Sequence, residues 1–344
     1  MRDNVLATLA YYDVLDFPLK AEEVLKCLIR LDPRSLSFYH ARQNFWPSAS
    51  GADHENGSKN LGGHDRGNLI VTIADIKKIL DQLILEKLAD FNQGYYFLPG
   101  RDYLAPLRLK REKISRKKWA KARQAIWWLK FIPYVEAVFA SGSLALNNCD
   151  ELSDLDVLVV TKHGRIWLTR FWITAWLSVI GARRKPFDKI APDKICLNHY
   201  ITDKSLRIPF ESMYNAQNYV NLKPVLIRNW KIVEKFREEN NWISKFVIGD
   251  WAISNDPEKL IRINRLARLV SGIGKTTLNT KLGDWLEKIA RRYQIKRIEA
   301  NPLTKSPTGH VVYSDEQLAF HPDSPESSVL ERFDQKLAEL KIVV

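Results

Sequence analysis

Cysteine is scarce: Cys27, Cys149 and Cys196 are the only three in 344 residues. Their number is odd and none stands in a Cys-x-x-Cys spacing, so neither a disulfide framework nor a zinc motif is expected, and a reducing, cytoplasmic setting fits best. Long apolar runs are also missing. The strongest, Ile166 to Ala182, is broken by Arg170, and the 12 residues left after it fall short of the ~20 needed to span a bilayer. Stable membrane insertion is therefore not expected, and the segment reads as a buried helix. The opening Met1-Arg2-Asp3-Asn4 leads into an amphipathic pattern, not a signal peptide. Negative charge is in deficit, with 40 Asp+Glu against 53 Lys+Arg for a net +13. Such a balance favours polyanionic partners: nucleotides, nucleic acid or acidic membranes. Apolar material is plentiful, at 45% hydrophobic residues with 11 Trp, 12 Tyr and 14 Phe, which excludes wholesale disorder.

The length suits two or three domains. Helical periodicity over 4–12 and 20–30, separated by a break at Pro18, predicts two short helices. From 33 to 70 the composition turns to Ser, Gly, Asn, His and Asp, which reads as a flexible insertion. A third helix is expected from Ile73 to Lys87, then two short strands around Asn92-Gln93-Gly94. Three helices and a hairpin resemble a winged-helix domain, here residues 1–103. Residues 104–131 read as a basic linker helix: Leu104 to Lys130 carries ten Lys/Arg against the single acid Glu112. Cations on successive turns offer a phosphate-contacting surface for nucleic acid, with a solvated linker as the plainer alternative.

The chemistry concentrates between 132 and 205. A buried-strand pattern, Val135 to Ala140, runs into Ser141-Gly142-Ser143; a connector follows, then Ser153-Asp154-Leu155-Asp156-Val157-Leu158-Val159-Val160. A strand repeats every two residues, so Asp154 and Asp156 share one face while Leu155, Val157 and Val159 take the other. Paired carboxylates repel unless a cation lies between them, and hard oxygen ligands suit Mg²⁺. Gly142 would admit phosphates close to the backbone, with Ser143 and nearby amides donating to them.

This order resembles the DNA polymerase beta-type nucleotidyltransferase superfamily, whose signature is Gly-Ser, a connector of roughly ten residues, and a strand of hydrophobic-Asp-hydrophobic-Asp form. The nearest likeness is to small prokaryotic stand-alone domains of that superfamily. The resemblance implies an α+β fold in which a mixed β-sheet with helices follows the winged-helix-like region and precedes a helical region over 206–344. It further implies that Asp154 and Asp156 hold Mg²⁺, with a two-ion site possible, that Gly142, Ser143, Ser153 and Lys162 contact the nucleotide, and that an NTP donates a nucleotidyl group to an unidentified acceptor. The superfamily adds a third carboxylate from a later strand. Here that strand, Lys194 to Ile201, carries Asn198 and His199 at its centre: Asn198 could ligate a metal through its carbonyl, and His199 could act as a base. Asp188, Asp193 and Asp203 are the nearby acids that could substitute. Arg165 and Arg170 could reach phosphates, or be salt-bridged within the protein. An inert, nucleic-acid-binding or regulatory relative is the alternative reading.

Overall fold

A computed structural model describes residues 1–31, 71–188, 190–253, 255–305, 310–321 and 324–342. The expected insertion at 33–70 lies outside the described residues. The N-terminal region supplies α1 (Arg2–Val14), α2 (Ala21–Lys26) and α3 (Ile73–Leu85), followed by an antiparallel hairpin of β1 (Asp90–Asn92) and β2 (Tyr95–Phe97). Helix α3 starts where Thr72 and Asp75 cap each other reciprocally, satisfying two amides that a helix start otherwise leaves unpaired. Gln93 and Gly94 both adopt positive φ at the hairpin turn, a conformation glycine takes without steric cost.

The basic helix α4 (Leu104–Trp127) leads through a 3₁₀ turn into a mixed, six-stranded sheet of order β6-β3-β4-β5-β8-β7. Its strands are β3 (Val135–Ala140), β4 (Leu155–Thr161), β5 (Ile195–Thr202), β6 (Lys223–Ile227), β7 (His310–Tyr313) and β8 (Gln317–His321). Among the described strands β4 and β5 alone pair in parallel; the crossover between them is α6 (Ile166–Val179), as parallel pairing requires. The α+β architecture with a mixed sheet is thus as expected.

The stretch 206–344 is not helical throughout: it contributes β6, β7 and β8 to the same sheet. Within that region the run Leu222-Lys223-Pro224-Val225-Leu226-Ile227 supplies β6. A short, buried, continuous apolar run does not distinguish helix from strand by periodicity, and Pro224 is tolerated because β6 lies at the sheet edge. Helices α9 (Arg265–Leu278) and α10 (Lys281–Glu299) follow, with Asn279 and Thr280 between them.

Both faces of the sheet are covered. On one side Leu155, Val157 and Val159 join Trp119 and Ile126 of α4 and Ile166, Trp167 and Ile173 of α6. On the other, Phe139, Leu158, Val160 and Ile201 join α1–α3, α7 (Met213–Val220), α8 (Lys231–Glu239) and the last helix, α11 (Glu326–Glu339). Strand alternation therefore sorts β4 as expected. Each fully buried Leu, Ile or Phe contributes roughly 1.5–3 kcal/mol, and this continuous packing fixes the end of β4 where the acids stand.

Candidate metal centre

The connector before β4 is held by the basic helix. Lys118, buried on α4, donates to the carbonyls of Glu151 (3.1 Å) and Ser153 (2.7 Å) and to Asp193 (3.0 Å). The Asp150 carboxylate accepts from the Leu152 and Ser153 amides and from the Ser153 hydroxyl at 2.7 Å. This turn fixes where β4 begins. It also engages the Ser153 hydroxyl, which bonds to Asp150 within the turn.

Asp154 and Asp156 emerge together, and with Cys196 they form the only cluster of its kind among the described residues: one ligand atom from each lies within 4.8 Å of the others. Asp154 is ion-paired with Arg184. Asp156 accepts a 3.0 Å hydrogen bond from the Asn198 amide nitrogen, leaving the Asn198 carbonyl oxygen as a hard neutral donor. The register of β5 slips against β4 between Asp156 and Leu158, so that Cys196 pairs with Asp156 and His199 with Leu158. That extra residue is what lets both Cys196 and Asn198 approach one carboxylate.

Asp156 is pushed up to about 7, first by burial and then by the charge of Asp154; bonds from Cys196 and Asn198 and the charge of Arg184 offset only part of this. Burial and the two aspartates push the Cys196 thiol far above its ordinary value. In the metal-free protein it is held as the thiol and serves Asp156 as a hydrogen-bond donor.

Gly142 sits behind the pair. Its φ is +58°, and a Cβ there would lie 2.8 Å from Asp156 Oδ2. The glycine is required both by its left-handed backbone and by the carboxylate resting against it. The short helix α5 (Gly142–Ala145) follows, and the Ser143 hydroxyl lies 3.5 Å from Cys149 Sγ.

The other expected members go elsewhere. His199 is buried, with Nδ1 3.0 Å from the Tyr219 hydroxyl and Nε2 2.9 Å from the Gln317 amide nitrogen. Burial, and secondarily His321, lowers it to about 3; neutral and engaged at both nitrogens, it is not placed to act as a base. Lys162 stands past the far end of β4, ~20 Å from Asp156 at the rise of a strand, and pairs with Asp203 at 2.7 Å. Asp203 also accepts from the His163 amide. Asp193 is held by Lys118 and Lys121, and Asp188 accepts from the Lys185 amide. None of the three acids joins the pair. Arg165 binds Asp284, and Arg170 donates to Gln294 at 2.6 Å while lying over the Phe320 ring; both are engaged within the protein, although the buried Nε of each has no hydrogen-bond partner.

Sequence reasoning missed Arg184 and Tyr214. The signal for Arg184 was the basic triplet Arg183-Arg184-Lys185 just ahead of β5. Tyr214, on α7, is raised chiefly by burial and also feels the charge of Asp156, a proximity with no trace in sequence spacing.

The basic helix is only half a cationic surface. Arg108 is buried against Glu23, Glu112 and the Phe17 ring, Lys118 holds the connector, and Lys130 lies 3.5 Å over the Trp127 ring. Lys110, Lys113, Arg116, Lys117, Lys121 and Arg123 remain exposed. No helix among the described residues is long and apolar enough to cross a membrane. Compared with protein-family models, curated proteins and solved structures, the chain matches none.

Proposed function

We propose that the chain is a Mg²⁺-dependent nucleotidyltransferase acting at Asp154 and Asp156. The observation that carries this reading is the convergence of two carboxylates in a partly buried site with the positive-φ Gly142 directly behind them. Two aspartate carboxylates and the Asn198 carbonyl are hard oxygen donors of the kind Mg²⁺ takes, so the residues present fit the ion. The rise in Asp156 measures how poorly the site tolerates its own negative charge. Bound there, one or two Mg²⁺ would neutralise an NTP triphosphate and the charge developing at its α-phosphorus.

The chain's own groups have separable tasks. Asp154 and Asp156 hold the ion, Arg184 orients Asp154, and Asn198 and Cys196 orient Asp156. Gly142, lacking a Cβ, lets the Asp156 carboxylate rest against its backbone. In the reaction an acceptor oxygen forms a bond to the α-phosphorus, the bond from that phosphorus to the bridging oxygen breaks, and pyrophosphate leaves.

A second reading rests on two observations. Arg184 already neutralises Asp154, and no third acid joins the pair among the described residues. Both suit a nucleotide-binding relative that has no turnover and acts in regulation or nucleic-acid binding.

Each of the four labelled NTPs, incubated with Mg²⁺ and a panel of hydroxyl acceptors (RNA, protein and small polyols) and followed by equilibrium dialysis and by pyrophosphate release, tests both. The transferase reading expects Mg²⁺-dependent retention and release, with release falling at least about a hundredfold in Asp154→Asn and Asp156→Asn. Retention without release in the wild type supports the second reading. Variants that match the wild type in both measurements remove the site.

A further inference from the structure

Helices α9 and α10 are amphipathic the wrong way round for a helix pair at a protein surface. On α9 the buried positions are Ala267 and Ser271, while Leu266, Leu269, Val270 and Ile273 face solvent, with Leu269 61% exposed. Their spacing puts them on one helical face. On α10 the buried positions are Gly283, Ala290, Gln294 and Ile298, while Leu282, Trp285, Ile289 and Tyr293 are exposed, with Trp285 at 57%. Single exposed apolar residues are ordinary; two stripes on consecutive helices are the mark of a surface with an occupant.

Charge identifies that occupant. The two helices carry nine Lys/Arg and three acids. Two of those acids are turned to the body of the protein: Asp284 pairs with Arg165, and Glu287 accepts from the backbone amides of Trp167 and Leu168. Arg268, Lys281, Lys288 and Arg292 are exposed on the same helices as the stripes. Apolar side chains with Trp and Tyr among them, flanked by long cationic side chains, match the boundary between acyl chains and anionic headgroups. A second copy of this face would set two strongly positive surfaces against each other.

We infer that the α9–α10 hairpin docks on anionic membrane surfaces, lying in the interface without crossing it. The docking is independent of the nucleotide site, whose acids stand at the start of β4. Apolar burial supplies the hold, and the cations select acidic lipid at about 1 kcal/mol each near the surface.

The full chain is to be co-sedimented with vesicles of phosphatidylcholine alone and with vesicles of equal parts phosphatidylcholine and phosphatidylglycerol. Binding is expected to the mixed vesicles, several-fold weaker at high salt, and little to phosphatidylcholine alone. Leu269→Ser with Trp285→Ser should weaken it about tenfold or more, since each loses an inserted apolar side chain. Arg268→Gln with Lys288→Gln should weaken it by about tenfold through lost attraction. These side chains already face water, so the variants should keep the wild-type Tm and nucleotide retention. Absence of wild-type binding to the mixed vesicles, or binding unchanged in the Leu269/Trp285 variant, overturns the inference. So does a concentration-dependent dimer that the same variant abolishes while vesicle binding is absent, which would assign the face to a second copy.

Discussion

The two ends of β4 carry the same kinds of group and treat them oppositely. At the far end Asp203 meets Lys162 at 2.7 Å and the His163 amide at 2.8 Å; burial alone would raise it, but these bonds hold it below the ordinary carboxylate value. At the near end Asp154 and Asp156 are crowded together, Arg184 pairs with Asp154, and Asp156 is raised to about 7. One end is an ion pair complete in itself. The other contains negative charge that the protein leaves incompletely balanced, which is the condition under which a carboxylate pair gains from a cation. The type of residue does not separate the two ends; the completeness of their partners does.

Gly142→Ala should break the contrast most severely. It places a side chain at positive φ and within 2.8 Å of Asp156 Oδ2, so a loss on the order of 2–3 kcal/mol in denaturant unfolding is expected, together with loss of metal binding.

Asp156→Asn should have the opposite sign in metal-free protein. A carboxyl raised in the folded state binds its proton more tightly there than when unfolded. Its favourable contribution is present below the unfolded value near 3.8 and is lost as pH rises through about 7. The asparagine variant should therefore be more stable than the wild type at pH 8, on the order of 1–3 kcal/mol in urea melts with chelator, and the gap should close towards pH 4. A variant less stable at pH 8 would mean that Asp156 is already balanced.

Asp203→Asn should be destabilising, by about 0.5–1.5 kcal/mol at neutral pH. Because Asp203 is lowered, its contribution is present above the unfolded value and is lost as pH falls through the folded one. Lys162→Met should cost least, about 0–1 kcal/mol, since Lys162 is half exposed. Neither change should alter metal binding, measured in the same titrations.

The near end of β4 was legible because it depends on local rules. Period-two alternation puts Asp154 and Asp156 on one face, and a glycine after a buried strand signals a close approach. The failures are long-range. Asp193, a candidate third acid in sequence, is held by Lys118, 75 positions away. His199 read as a base because nothing nearby shows Tyr219 and Gln317 closing over both ring nitrogens. Asn198 reaches Asp156 through an irregular register between β4 and β5, which no strand pattern encodes. The basic helix taught the same lesson from the side of positive charge: Arg108 and Lys118 counted towards a nucleic-acid surface in sequence, and both are buried on protein partners.

Equilibrium binding of Mn²⁺, a paramagnetic substitute for Mg²⁺, followed by electron paramagnetic resonance with an NTP present, is the most direct test of the unmet charge at Asp154 and Asp156. The wild type and Asp203→Asn should bind alike, and Asp154→Asn and Asp156→Asn should each weaken binding at least about tenfold. Equal binding by all four proteins, or none by the wild type, would contradict a metal centre at this end of β4.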